Sequence, residues 1–388
     1  MEDHGALVYE NYIGGVPFIS DPDFIEAFNT LLKTYEIDVV IPTHDTITLF
    51  FAEHLEQINA KVICPEFETA TICREKTKTY DLFEKDGFVP QRFSEVSNIE
   101  YPVFLKPNIG EGAKNTFLCN NLAEITYALN KIENLIITEY LPGAELTVDC
   151  FTDKNKELRF IGPRLRNRVQ MGMSFNSSQY AVTDEIKHIA TTINQKLRLR
   201  GLWYFQVKKD KNGNFKLLEI SARIAGTMVF YRILGINFSL LSVYDILDKE
   251  ISILQNNFRL VLDRSIRNRY ITNIDFDTVY LDFDDTLIFQ NKVNVMAMNF
   301  VYQLINEGKK IVLITKHAEH LPTTLKRYRI SEDLFDSIIH LKEEQVKADF
   351  IKKEKAIFID NAFRERLMVF KQHGIPVFDV DAIECFLR

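Results

Sequence analysis

A chain of 388 residues exceeds what one hydrophobic core usually serves, so two or three domains are expected. Hydrophobic residues make up 46% and charged residues 26%, with 15 glycines and 11 prolines, which excludes a disordered or fibrous chain. A net charge of −7 excludes a general pull toward nucleic acid or an anionic membrane, and leaves only a local cluster, Arg164, Arg166 and Arg168, able to bind phosphate.

The first ~20 residues show no clear strand. A parallel α/β unit ordinarily begins on one, so the N-terminus reads as shortened. MEDHGALVYE lacks the basic and apolar regions of a signal peptide, and no run approaches ~18 uninterrupted apolar residues. The five cysteines, Cys64, Cys73, Cys119, Cys150 and Cys385, are scattered without CxxC spacing, which points away from a disulfide framework or a zinc site and toward a reducing compartment. A cytoplasmic protein is expected.

Asp38–Pro42 (DVVIP) and Ala60–Cys64 (AKVIC) read as strands around a helix near Thr46–Ile58, the rhythm of a helix-covered parallel sheet. In the loop between them Asp45 or His44 is placed to touch substrate, and Asp45 or Thr46 equally to cap the helix. A helix over Arg74–Asp86 ends at Gly87. Strands then follow at Val103–Lys106, Thr116–Cys119, Ile136–Glu139 and Glu145–Thr152, and the turn clusters Asp153–Asn155 and Asp210–Gly213 predict hairpins. The middle region is therefore antiparallel. Asn256–Asn273 is polar, with Arg259, Arg264, Arg267 and Arg269, and marks the boundary before a new strand at Thr278–Phe283.

Lys106 ends the strand of FLKP beside the turn-rich NIGEGAKNT, where a cation and loop amides can meet phosphate oxygens. Gln206 and Glu219 lie on strands joined by the Asp210–Gly213 turn, so a hairpin would face two hard oxygen donors toward one another, as Mg²⁺ accepts. Arg223, four residues on, adds a fixed cation. In order and spacing REKTKTYDLF, FLKP, NIGEGAKN, EYLPGAELTVD, PRLR, GLWYFQVK and LEISARIAG resemble the ATP-grasp superfamily, in its carbamoyl-phosphate-synthase-like, carboxylate–amine ligase branch, over about Ile37–Asp245.

The resemblance implies that Lys76 and Lys106 contact ATP phosphates beside Gly110 and Gly112. It puts Glu139 at the adenine hinge and Glu145 on the ribose, with Arg164 and Arg166 reaching phosphate or carboxylate. Gln206 and Glu219 would hold Mg²⁺ or Mn²⁺, and Arg223 the transferring phosphoryl group. Ser221 stands where the family carries Asn as a third metal-side residue. The implied reaction joins a small-molecule carboxylate to an amine, or to a thiol, through an acyl phosphate. Specificity is expected in loops such as Gln170–Tyr180.

TVYLDFDDTLIF puts Asp282, Asp284 and Thr286 after a strand, where two carboxylates sharing a face repel unless a metal relieves them. IVLIT ends in Thr315 and AIFID in Asp360. Together these resemble the haloacid-dehalogenase-like phosphatases over about Val279–Val380. The resemblance implies Asp282 as nucleophile, Asp284 as general acid/base, Thr315 on the phosphate, and Asp282, Asp284 and Asp360 around the metal. Lys347, or else Lys342, would steady the nucleophile, and Asn361 stands where a second acid is common. About 25 residues, read mostly as one helix, leave no room for a sizeable cap, so a phosphorylated metabolite would meet an open site.

The expected fold class is multidomain α/β and α+β. A parallel α/β pre-ATP-grasp remnant over 1–67 precedes an ATP-grasp domain of antiparallel sheets and helices over 68–262. A linker over 263–275 leads to a Rossmann-like domain over 276–388. The other reading of the whole is an Mg-ATP-binding regulatory or assembly module with an inactive C-terminal domain. A homodimer is compatible with either.

Overall fold

The computed structural model describes residues 4–97, 99–265, 270, 272–352 and 355–387. The chain divides into two compact units, one spanning Gly15–Ile266 and the other Arg267–Arg388 with Met1–Gly14. This differs from the expected division in two places: the first fourteen residues group with the C-terminal unit, and 15–67 is not separate from 68–262. Much of the expected linker, residues 266–269 and 271 with Arg267 and Arg269, lies outside the described residues.

The larger unit opens with α1 (Phe24–Thr34), β1 (Val39–Val40), α2 (Asp45–Glu53), β2 (Lys61–Val62) and α3 (Phe67–Arg74). β1 and β2 pair in parallel. Phe24 and Phe28, four residues apart, give α1 an apolar face, and Ile47 with Phe50 and Phe51, three and four residues on, gives α2 one, so Phe24 and Phe28 pack on Phe50 and Phe51. The single helix expected over Arg74–Asp86 is instead α4 (Lys76–Phe83) and a 3-10 turn, separated from α3 at Glu75, whose backbone is extended.

Next come β3 (Val103–Pro107), β4 (Phe117–Cys119), α5 (Leu122–Lys131) and β5 (Leu135–Glu139), with the antiparallel sheet order β4-β3-β5. A second sheet holds β6 (Glu145–Thr152), β7 (Leu158–Gln170), β8 (Met173–Gln179), β9 (Gly201–Lys209), β10 (Phe215–Ser221) and β11 (Val261–Asp263), ordered β10-β9-β6-β7-β8-β11. The helices α6 (Asp184–Lys196), α7 (Val229–Ile233) and α8 (Phe238–Ile246) complete the unit.

Both expected hairpins are present, β6–β7 and β9–β10. Asp153 Oδ1 accepts the amides of Asn155 and Glu157, and Asp210 Oδ1 those of Asn212 and Asn214, which explains why aspartate leads each turn. The expected loop Gln170–Tyr180 is instead mostly β8, hydrogen-bonded to β7.

Strand alternation decides what each face of this sheet does. Leu146, Val148, Trp203, Phe205 and Val207 point to one side and bury against Ile186, Ile189 and Ile193 of α6. Register then requires Glu145, Thr147, Gln206, Lys208 and Glu219 to share the other side. The apolar half anchors the polar half.

The other unit contains β12 (Thr278–Leu281), β13 (Ile288–Phe289), β14 (Lys292–Val293), α9 (Val295–Asn306), β15 (Lys310–Thr315), α10 (Leu321–Tyr328), β16 (Ser337–His340), β17 (Ala356–Ile359), α11 (Phe363–His373) and β18 (Val377–Phe378). Its main sheet is parallel, ordered β16-β15-β12-β17-β18. The central strands are continuous apolar runs because both faces are covered: Val279, Leu281, Leu313 and Ile357 pack on one side with Phe300, and Tyr280, Val312 and Phe358 on the other with Val369. Between Thr286 and Lys310 a small hairpin, β13–β14, precedes α9, where one helix was expected. No helix among the described residues is long and apolar enough to cross a membrane.

Candidate functional site

A cleft of about 1020 Å³, counted with its open mouth, lies in the larger unit between the β4-β3-β5 sheet and the polar face of β6, β9 and β10. Lys76, Lys106, Gly110, Gly112, Glu139, Glu145, Arg166, Gln206 and Glu219 all line it, so nine of the residues singled out from sequence converge. Gln206 and Glu219 are register partners, and Gln206 Nε2 donates to Glu219 Oε1 at 2.7 Å. Their carboxylate and amide face two lysines, a donor set that suits a hard divalent cation shared with phosphate oxygens.

Lys106 is buried, and its Nζ meets the Tyr80 hydroxyl at 2.6 Å, which in turn donates to the Leu218 carbonyl at 2.9 Å. Burial first, and the Lys76 charge second, push the Lys106 pKa down to about 7. Burial also lowers Lys76, against the pull of Glu219. Two cations short of counter-charge describe a place built for an anion.

Loop and sheet are tied together around that place. The helix start at Lys76 and Thr77 is fixed by Asn108, through its carbonyl at 3.2 Å and its side chain at 2.8 Å. Glu145 forms an ion pair with Arg166, Oε1 to Nε at 2.9 Å, and Arg166 Nη2 donates to the Gly172 carbonyl at 2.6 Å. Glu139 accepts the Gln91 amide at 2.9 Å.

Three expected residues, Arg164, Ser221 and Arg223, are not among those lining the cleft. Arg164 is buried, its guanidinium taken by Asp149 at 2.7 and 3.2 Å and by Thr227. An arginine so satisfied is a structural cation; Thr147 pairs with both residues, which puts Arg164 on the same row as Gln206 but two strands away, on β7. Ser221 is buried and donates to Asp45; its short side chain ends there and does not line the cleft. Arg223 also binds Asp45, at 2.6 Å, with its guanidinium over the Tyr204 ring. Burial raises the Asp45 pKa, but Arg223 and Ser221 outweigh it and hold the carboxyl below its usual value. The cap of α2 falls to His44, whose Nδ1 accepts the Thr46 amide at 3.3 Å, so neither Asp45 nor Thr46 caps.

Residues 131–269 match the family model described as ATP-grasp in the biosynthetic pathway with Ter operon. The arginine-specific carbamoyl phosphate synthase large chain of Bacillus subtilis is 22% identical over 210 residues, covering 48% of this chain and 20% of that one. A D-alanine–D-alanine ligase of Fusobacterium nucleatum is 37% identical over 81 residues, covering 20% of this chain and 28% of its own. The chain thus spans less than a third of either curated relative. Among solved structures, the biotin carboxylase domain dimer of Hydrogenobacter thermophilus 2-oxoglutarate carboxylase, in complex with MgADP, ADP and bicarbonate, superposes with a TM-score of 0.53 at 16% identity, covering 62% of this chain and 60% of that one. The larger unit has the ATP-grasp fold.

In the ATP-grasp unit, sequence reasoning overlooked Tyr80, Lys208 and Gly172. Tyr80 stands four residues after Lys76, one helical turn on, and Lys208 two after Gln206, on the same strand face, so periodicity offered both. Gly172 carried no such signal. Its φ of +73° and the approach of its would-be Cβ to within 2.4 Å of the Gly112 backbone follow from packing between segments far apart in the chain.

In the other unit, Asp282 follows β12, Thr315 ends β15 and Asp360 follows β17, all at the carboxyl ends of neighbouring parallel strands, where such sheets bind ligands. Lys347 Nζ lies 2.6 Å from both Asp282 Oδ1 and Asp360 Oδ2, whereas Lys342 is exposed. Burial, then the Asp360 charge, push the Asp282 pKa up to about 7, and burial raises Asp360. Burial opposes the Lys347 charge, but the two carboxylates outweigh it and raise its pKa.

Asp284 departs from the expected metal set. Its carboxylate is held by His317 at 2.9 and 3.1 Å, and among the described residues no group of three or more His, Cys, Asp or Glu side chains converges as a metal site. Two buried carboxylates against one lysine nevertheless leave an excess negative charge. That suits Mg²⁺, which takes one or two carboxylates and fills its shell with water and phosphate oxygens. Arg366 braces the strand end through the carbonyls of Asp360 and Asn361 at 2.5 and 2.9 Å.

Proposed function

We propose that the larger unit is an ATP-dependent ligase that activates a small-molecule carboxylate as an acyl phosphate and passes it to an amine, or to a thiol. The observation that carries this reading is the convergence of Lys76, Lys106, Gln206 and Glu219 on one cleft of an ATP-grasp fold. Similarity to a carbamoyl phosphate synthase and a D-alanine–D-alanine ligase supports it, and the MgADP complex of a structural neighbour supports Mg-nucleotide as the cofactor.

Lys76 and Lys106 hold the polyphosphate. Gln206 and Glu219 hold Mg²⁺ or Mn²⁺, which supplies charge neutralisation on the phosphates. Glu139 and Glu145 face the nucleoside, with Arg166 fixing Glu145. A substrate carboxylate oxygen attacks the γ-phosphorus as the bond to ADP breaks, and Arg223, released from or shared with Asp45, neutralises the anion. The amine nitrogen then adds to the acyl carbon, loses a proton, and phosphate leaves. A panel of carboxylates and amines tests this by ADP release. At least one pair should stimulate it, and Lys106→Met should abolish it. A protein that binds Mg-ATP yet releases no ADP with any pair would instead be a regulatory or assembly module, a reading favoured by the engagement of Ser221 with Asp45.

We infer that the second unit is a phosphohydrolase of the haloacid-dehalogenase-like kind, acting on a phosphorylated metabolite of the same pathway. The supporting observation is the buried Asp282–Lys347–Asp360 set at the strand ends. Asp282 attacks phosphorus, Lys347 holds it in line, Thr315 binds phosphate oxygen and Asp284 exchanges the proton, with Mg²⁺ supplying charge neutralisation beside Asp282 and Asp360. Hydrolysis of an aryl phosphate by the wild type, lost in Asp282→Asn, is expected; equal rates would overturn the assignment.

A further inference from the structure

One histidine beside the second site has no place in the mechanism above. His317 lies two residues past Thr315, and each part of it is held. Its amide donates to Thr315 Oγ1 at 3.1 Å, and its carbonyl accepts from His340 Nε2 at 2.7 Å. The ring packs edge-on against Phe283, with centroids 5.1 Å apart at 75°. Nδ1 stands 2.9 and 3.1 Å from the two Asp284 oxygens, and Nε2 stands 3.0 Å from Thr324 Oγ1.

The contrast in exposure matters. The His317 side chain is 12% exposed and that of Asp284 is 52% exposed. A solvent-facing aspartate in a turn would ordinarily sample several rotamers. Here a rigid imidazole pins it. The hydrogen-bond arithmetic also fits the ring: Nδ1 as donor serves an Asp284 oxygen whether that group is ionised or carries a proton on its other oxygen, and Nε2 is left to accept from the Thr324 hydroxyl. Thr324 has a second acceptor in Glu319, at the longer distance of 3.4 Å.

We propose that His317 is the positioning residue for Asp284, holding its carboxyl group toward the leaving-group oxygen of a phosphate ester. The proposal rests on the phosphohydrolase reading and adds a residue to it. In the first half-reaction Asp282 Oδ bonds to phosphorus and the ester P–O bond breaks. The leaving oxygen keeps the electron pair and takes the proton from protonated Asp284. In the second, water bonds to phosphorus, gives its proton to the Asp284 carboxylate, and the bond to Asp282 breaks. His317 takes part in neither transfer. Its Nδ1, within reach of both Asp284 oxygens, fixes the rotation of the carboxyl group and leaves their outward lone pairs to the ester oxygen.

The leaving group separates this role from a structural one. An alkoxide needs a proton as it departs, whereas p-nitrophenolate does not, and a well-placed general acid is worth ~10²–10⁴ in rate. His317→Ala should therefore lower kcat on an alkyl phosphate by about a hundredfold or more, and on p-nitrophenyl phosphate by less than about tenfold, with KM within about threefold on both. Retained p-nitrophenyl phosphate hydrolysis also certifies the fold. The amide nitrogen of Asn stands near where Nδ1 does, and that of Gln near Nε2. His317→Asn should restore alkyl phosphate hydrolysis to within about tenfold of wild type, and His317→Gln should not.

Equal losses on the two esters, or rescue by Gln as good as by Asn, would overturn the positioning role while leaving the phosphohydrolase standing. Wild-type protein that hydrolyses neither ester, or an Asp282→Asn variant as fast as wild type, would overturn both.

Discussion

Lys106 is where burial and function pull in opposite directions. Its pKa falls to about 7 when folded against an ordinary value near ~10.4. Between those limits the unfolded chain holds a proton that the folded chain lacks, so this residue makes stability rise with pH across that window, and below it the folded state carries the full cost of a buried cation. A polyphosphate beside the Tyr80-held amine favours the ammonium again. Nucleotide binding is therefore expected to take up a proton at about pH 8 and little or none at about pH 6. Calorimetry in buffers of different ionisation enthalpy measures this directly, and Lys106→Met should remove the uptake. Binding heats independent of buffer at both values would contradict it. The ammonium is a property of the site, not of lysine.

At the scale of elements, the β7–β8 turn and the glycine-rich loop after β3 act as a clasp over the cleft. Gly172 is needed twice there, for its φ of +73° and for the 2.4 Å approach to Gly112, whereas Gly213, at φ +86°, has open space around it. Alanine at either position carries backbone strain of about 1–2 kcal/mol. Gly172→Ala should weaken nucleotide binding about tenfold in an equilibrium titration, and Gly213→Ala should lower Tm without changing affinity; the same affinity in both variants would refute the clasp.

The hairpins behind this clasp were legible because Asp153 and Asp210 announce their turns and because strand alternation tells Leu146 from Thr147. So were the strand-end positions of Lys106, Asp282, Thr315 and Asp360. What the sequence hid lies in pairings across long separations. Asp45 meets Ser221 and Arg223 some 176 and 178 positions away. Arg164 was drawn from the cleft by Asp149, and Asp284 from the carboxylates by His317. In each case the polar partner that the fold brings beside the side chain decides the outcome, and motif order does not encode it.

The molecule as a whole carries two folds, for which two chemistries are proposed. In the proposed function the ATP-grasp unit would make an acyl phosphate at Lys76, Lys106, Gln206 and Glu219, and the parallel-sheet unit would hydrolyse a phosphate ester at Asp282. Each site takes its residues from one unit, so Lys106→Met should abolish ADP release and spare ester hydrolysis, and Asp282→Asn should do the reverse. The ligase reading stands or falls on the acyl phosphate. Hydroxylamine intercepts such a species whatever the native amine is, so the decisive measurement is hydroxamate formed from a carboxylate pool with Mg-ATP. Hydroxamate should form in step with ADP, be absent in Lys106→Met and be undiminished in Asp282→Asn. ADP released without hydroxamate, or no ADP from any carboxylate by protein that binds Mg-ATP, would contradict the ligase reading.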